Sequence, residues 1–202
     1  MTGHVPLWSW VLYPGSEAYG RVTMLRDPWE RLVSHINWVH HYHDGPPLPT
    51  HGQGAPALAR IVALTAETDF EDRRDLQRYF DAVSREEHFS SFDNYQVRML
   101  RSGHMEAMTK PIEPTDVTVA RADLSLFIHF GFCDDQEAFQ MDLARKLGVS
   151  WQPKPAPRVN PAQSNVLSVT NDLAAEVFMP WIWADSELVN LARRTKGRRA
   201  VA

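Results

Sequence analysis

Arg26 and Ser34 stand at the two ends of the stretch best equipped for chemistry, Arg26-Asp27-Pro28-Trp29-Glu30-Arg31-Leu32-Val33-Ser34. The chemistry that their types and spacing suggest is anion binding. The preceding run, Gly20-Arg21-Val22-Thr23-Met24-Leu25, is β-rich and apolar and reads as a buried strand. Asp27 suits a helix N-cap and Pro28 the first helical position, so Arg26 falls at the carboxyl end of a strand. Ligands of open α/β sheets collect beyond such ends, where the N–H groups of a helix start add partial positive charge. A guanidinium offers a planar fork to two phosphate oxygens. Ser34 follows Asp27 by about two helical turns and can add a hydroxyl donor. The plain structural alternative pairs Arg26 with Asp27 or Glu30 and makes Ser34 an ordinary helix residue. Spacing alone leaves both readings open.

The segment RDPWERLVSH resembles the 3′-phosphate-binding motif, RDPxxRxxS, of sulfotransferases that use 3′-phosphoadenosine-5′-phosphosulfate (PAPS). Further segments match in order. Gly3-His4-Val5-Pro6 resembles the Gly-His segment of the Golgi 2-O-sulfotransferases and their bacterial relatives, and Asn94-Tyr95-Gln96-Val97-Arg98-Met99-Leu100 resembles their NYQxRxL stretch. Residues 120–148 resemble the later helix-strand-helix unit with its FxxxGxxxxxxxF core, and Arg158-Val159-Asn160-Pro161 resembles the loop that closes over the nucleotide. The resemblance runs from residue 3 to about residue 195.

This likeness implies an α/β chain with the P-loop-like sulfotransferase fold, a small parallel sheet flanked by helices in one domain. It implies transfer of a sulfuryl group from PAPS to a hydroxyl acceptor, with a carbohydrate among the candidates and no metal. Arg26, Ser34 and Arg158 would bind the nucleotide, and His4 would be the base that takes the acceptor's proton, a task that suits imidazole. Tyr95, Gln96 and Arg98 are candidates for the acceptor cleft, although Tyr95 and Met99 at helical spacing also suit packing. Arg31 would either support the phosphate or pair with Glu30 or Asp27.

One family feature has no counterpart in the sequence. Such enzymes begin with a strand and a phosphosulfate loop that holds the 5′ end of the donor, which leads to the expectation of an N-terminally truncated domain. Gly15-Ser16-Glu17-Ala18-Tyr19-Gly20-Arg21-Val22 echoes G-x-x-x-x-G-K-[ST], but with Arg for Lys and Val for the hydroxyl residue, and it leads into a strand. A P-loop enters a helix, so a connecting loop is expected here. Two other functions follow from the gap. One is a degenerate, non-catalytic relative that binds adenosine 3′,5′-bisphosphate or a protein partner; the other, from the near-match, is a P-loop-type kinase. A sheet without its first strand would leave unpaired backbone groups and call for a partner chain to complete it.

Composition narrows the classes. A net charge of −4 gives no general field for nucleic acid. Cys133 is the sole cysteine, which excludes an internal disulfide and fits a cytoplasmic protein. No apolar run has the length of a membrane span. His35, His40, His41 and His43 cluster at one helix end, but His40 and His41 diverge by about 100° on a helix, which disfavours zinc. His129 reads as a satisfied core histidine. Trp181 and Trp183 suit packing of the C-terminal helices, with sugar stacking as the alternative. The basic run from Arg193 to Arg199 reads as a solvated, frayed end.

Periodicity predicts a strand or short helix over 7–13, a strand over 20–25 and a helix from Pro28 to about His43. Helices are expected near 57–66, 71–84, 93–101 and 116–125, then a strand over 127–132 and a helix over 134–147 ended by Gly148. Two more helices are expected near 170–179 and 185–195. The Gly/Pro-rich stretches 44–56 and 151–161 read as loops, and Gly103 as a helix stop.

Overall fold

A computed structural model of the chain describes Leu7, Ser9, Gly45 and residues 12–43, 55–86, 89–101, 110–152 and 165–199. In these residues the chain is mostly helical with a two-stranded parallel sheet, an α/β arrangement. It divides into two compact units. The first holds residues 1–27, 96–159 and 184–202, and the second holds 28–95 and 160–183.

In order, the elements are β1 (Val22–Leu25), α1 (Pro28–His40), α2 (Ala55–Glu67), α3 (Arg73–Val83), α4 (Tyr95–Leu100), α5 (Pro114–Asp123), β2 (His129–Phe132), α6 (Gln136–Leu147), α7 (Asp172–Phe178) and α8 (Trp183–Arg199). Each lies within a few residues of its expected position. The largest differences are at the ends: α1 stops at His40 and continues as turns through His43, while α8 runs to Arg199.

In the first unit, β1 and β2 pair in parallel with Val22 opposite His129 and Leu25 opposite Phe132. The expected buried strand is buried only at its end: Leu25 is 2% exposed, whereas Val22 is 44% exposed. Among the described residues β1 has a strand partner on one side only. Helix α6 packs on β2. Gly131 makes this possible, because a Cβ there would stand 2.5 Å from Cδ2 of Phe139. The FxxxGxxxxxxxF spacing thus has a physical cause: the glycine clears the strand surface for the aromatic ring eight residues on. Gly148, at φ 66°, ends α6 in the left-handed conformation that glycine adopts without a Cβ penalty.

The basic tail differs from its expectation. Arg193 pairs with Asp134 at 2.6 Å and lies over the Phe132 ring at 4.3 Å, and Lys196 approaches Asp142 at 3.7 Å. Helix α8 is helical through Arg199, where a frayed end was expected, and Arg193 and Arg194 are exposed to solvent as expected.

The second unit is helical around an aromatic centre. Trp181 is buried, with Phe178 and Phe80 stacked at 4.9 and 4.8 Å and Tyr79 edge-on at 6.2 Å. Its indole donates to Ser84 Oγ at 3.2 Å. A ring this enclosed packs the core and does not stack on a sugar. Leu32, Val33, Ile36 and Val39 give α1 an apolar stripe at helical spacing that joins the same core. Asp72 caps α3 by accepting from the backbone of Arg74 and Asp75, and Asn171 caps α7 by accepting from Ala174.

Candidate functional site

The strand-to-helix junction forms as the sequence implies: β1 ends at Leu25, and Pro28 is the first residue of α1. In the first unit, Arg26 is gripped through its backbone. Its N–H donates to Gln96 Oε1 at 2.8 Å, and its carbonyl accepts from Gln96 Nε2 at 3.0 Å. A backbone N–H only donates and a carbonyl only accepts, so a single orientation of the amide satisfies both. This is the two-bond exchange of a hydrogen-bonded pair in an antiparallel ladder, made by a side chain 70 residues away. It holds the residue that directly follows β1.

Gln96 is itself held. Its backbone N–H donates to Asp185 Oδ2 at 3.1 Å and that of Val97 to Oδ1 at 2.8 Å. Asp185, fully buried in the first turn of α8, therefore caps α4 from a distant part of the chain. Arg98, 2% exposed, donates to the Lys110 carbonyl at 2.8 Å. Gln96 and Arg98 are thus buried, and Gln96 spends its amide on Arg26. Asp185 is a site residue that the sequence reading missed.

In the second unit, Ser34 is exposed on α1. Arg31 donates to the carbonyls of Ser91 and Phe92, both at 3.0 Å, and its guanidinium lies 5.2 Å from the centre of the Tyr95 ring. Arg31 so ties α1 to the segment that precedes α4. Tyr95 is half-buried; burial raises its phenol's pKa, and Arg31 opposes that shift. Asn94 adopts φ 44°, a conformation asparagine tolerates better than most residues, and its N–H donates to the Trp181 carbonyl at 2.6 Å. Every member of the NYQ triplet therefore has a structural task.

Residues 165–170, just after the stretch that resembles the nucleotide-closing loop, are fastened to α1. Asn37 donates to the Leu167 carbonyl at 2.8 Å and accepts from its N–H at 3.1 Å, and Trp29 donates to the Val169 carbonyl at 2.8 Å. Helix α1 thus carries both Ser34 and the anchor of that segment.

His4 and Arg158 lie outside the described residues, as do Gly103 and most of the loop over 44–56. The Gly15 region forms a connecting loop: Gly15, at φ 79°, opens a 3₁₀ turn over Ser16–Ala18 and the chain then enters β1. The N–H groups of Ser16, Ala18 and Tyr19 donate within this turn. That arrangement departs from a phosphate-cradling loop, which presents its amides to the ligand and enters a helix.

His129 is buried, as expected; it hydrogen-bonds with the Phe139 backbone, while its Nε2 has no partner among the described residues. Burial lowers its pKa, aided by Lys146 and Lys196 and opposed by Asp142 and the Phe139 backbone. Of the clustered histidines, His35 shares a hydrogen bond with Ser91 Oγ at 3.2 Å and stacks on Trp38. Among the described residues, no group of three or more His, Cys, Asp or Glu is placed to hold a metal ion, and no helix is long and apolar enough to cross a membrane. Compared with family models, curated proteins and solved structures, the chain matches none.

Proposed function

We propose that the chain is a sulfotransferase of the PAPS-dependent kind, with the P-loop-like fold that goes with it, acting on a hydroxyl acceptor, a carbohydrate among the candidates. One observation carries the reading. The RDP and NYQ segments, far apart in sequence and both named by the resemblance, are joined by the paired hydrogen bonds between Arg26 and Gln96. Arg26 would grip the 3′-phosphate of the donor through its guanidinium, and Ser34, exposed on α1, would donate a hydroxyl to it. The residues present fit an anionic nucleotide: a backbone-fixed, part-exposed arginine at a strand end, followed by a proline-led helix.

When bound, PAPS would supply an activated sulfuryl group. The chain's own residues orient and deprotonate. Arg158 would close over the nucleotide, and His4 would remove the acceptor's hydroxyl proton as it attacks. Tyr95, with its half-buried ring, is a candidate acceptor contact, and the more deeply buried Gln96 and Arg98 are further candidates. The sequence supports a cytoplasmic setting through its single cysteine.

The test is release of adenosine 3′,5′-bisphosphate from PAPS across a panel of hydroxyl acceptors, with H4A as the comparison. Acceptor-dependent release abolished by H4A supports the enzyme. Tight binding of the bisphosphate without turnover supports a non-catalytic relative, and tighter binding of ATP than of the bisphosphate refutes both.

A further inference from the structure

We infer that Gln96 is a positioning residue for the anion-binding Arg26, with Asp185 as its support; this rests on the sulfotransferase reading above. The geometry is unusual for a side chain. Gln96 is 8% exposed, and both polar ends of its amide are spent on the N–H and the carbonyl of one residue, Arg26, at 2.8 and 3.0 Å. Arg26 lies one residue beyond the end of β1, where the ladder with β2 stops at Leu25 and Phe132. The amide adds two long-range hydrogen bonds to the backbone of Arg26 and so helps set the direction of its Cα–Cβ bond before a ligand arrives. A pre-set arginine loses less freedom on gripping a phosphate, which is where affinity is gained.

Asp185 completes the relay. Its carboxylate accepts from the second and third N–H groups of α4, those of Gln96 and Val97, at 3.1 and 2.8 Å, and so fixes the helix from which the amide projects. The linkage runs from the first turn of α8 through the start of α4 to the arginine at the strand end, all within the first unit.

The experiment is calorimetric titration of the full chain with adenosine 3′,5′-bisphosphate and, separately, with adenosine 5′-monophosphate. The ratio of the two affinities isolates the 3′-phosphate. Q96L should lower that ratio at least fivefold while 5′-monophosphate binding stays within twofold, and in an R26A background it should lower the ratio no further, because both changes remove the same contact. Q96E matches the glutamine in shape and serves where the leucine variant does not fold. Its carboxylate would face the Arg26 carbonyl, so its ratio should start low at neutral pH and recover toward the wild-type value as acid restores a donor. A residue that merely stabilises the fold would weaken both ligands together and show no such recovery. Wild-type ratios in Q96L or Q96E, or equal loss of both ligands, overturn the positioning role. A wild-type chain that does not prefer the bisphosphate overturns the sulfotransferase reading, and the positioning role falls with it.

Discussion

Asn37 offers the sharpest stability test, because its side chain makes the same two-way amide grip in the second unit that Gln96 makes in the first. Asn37 is 3% exposed and its partner Leu167 is 1% exposed, so the two hydrogen bonds between them, at 2.8 and 3.1 Å, lie out of reach of water. Asn37→Ala removes both and leaves the Leu167 N–H and carbonyl buried without partners. Each orphaned group costs about 1–3 kcal/mol, for a combined loss of roughly 2–5 kcal/mol after the backbone adjusts. For a chain of this length that is a fall in melting temperature on the order of 10 °C. Trp29→Phe is the internal control, since it removes one exposed bond, to the Val169 carbonyl, and should shift the transition by well under half as much. Thermal and urea unfolding give the magnitudes, and amide hydrogen exchange at Leu167 gives the location: slow in the wild type, fast in Asn37→Ala. A melting temperature within about 1 °C of the wild type, or unchanged exchange at Leu167, would refute the reasoning.

Two further outcomes follow from the first unit. Gly131→Ala drives a Cβ against the Phe139 ring, so it should destabilise by about 1–3 kcal/mol in urea unfolding, and Phe139→Ala in the same background should relieve part of that loss. The pKa of His129 in the folded chain lies below the ordinary value, chiefly through burial, so the unfolded chain takes up a proton first as pH falls. Its contribution is therefore complete above about pH 6.5 and is lost as pH drops below that value toward its lowered folded pKa. His129→Phe should flatten that acid-side decline, and an unchanged slope would count against the assignment.

Some of this was legible in the residues and some was not. The β1–α1 junction could be read because an apolar β-rich run, an arginine and a proline in the N1 position are local signals. The same holds for β2 and α6, where strand pattern, helix period and the stop at Gly148 agree. What stayed hidden depends on partners distant in sequence. Gln96 reads as a polar residue fit for a cleft, and nothing local shows that its amide meets a backbone 70 residues earlier. Asp185 gives no local sign that it caps a helix 89 residues before it, since an acid in a first helical turn is common. The basic tail is helical where a frayed end was expected, and its acidic partners Asp134 and Asp142 are likewise distant in sequence. His129 differed in its Nε2 alone, because sequence marks a buried position but not the absence of an acceptor.

The central claim is that the guanidinium of Arg26 recognises the 3′-phosphate of an adenine nucleotide, and a calorimetric titration of wild type and R26A with adenosine 3′,5′-bisphosphate tests it most directly. Loss of a charge-assisted, two-pronged contact is worth about 1.5–3 kcal/mol, so the variant should bind at least tenfold more weakly. Equal affinity in the two proteins, or no measurable binding by the wild type, would contradict the account.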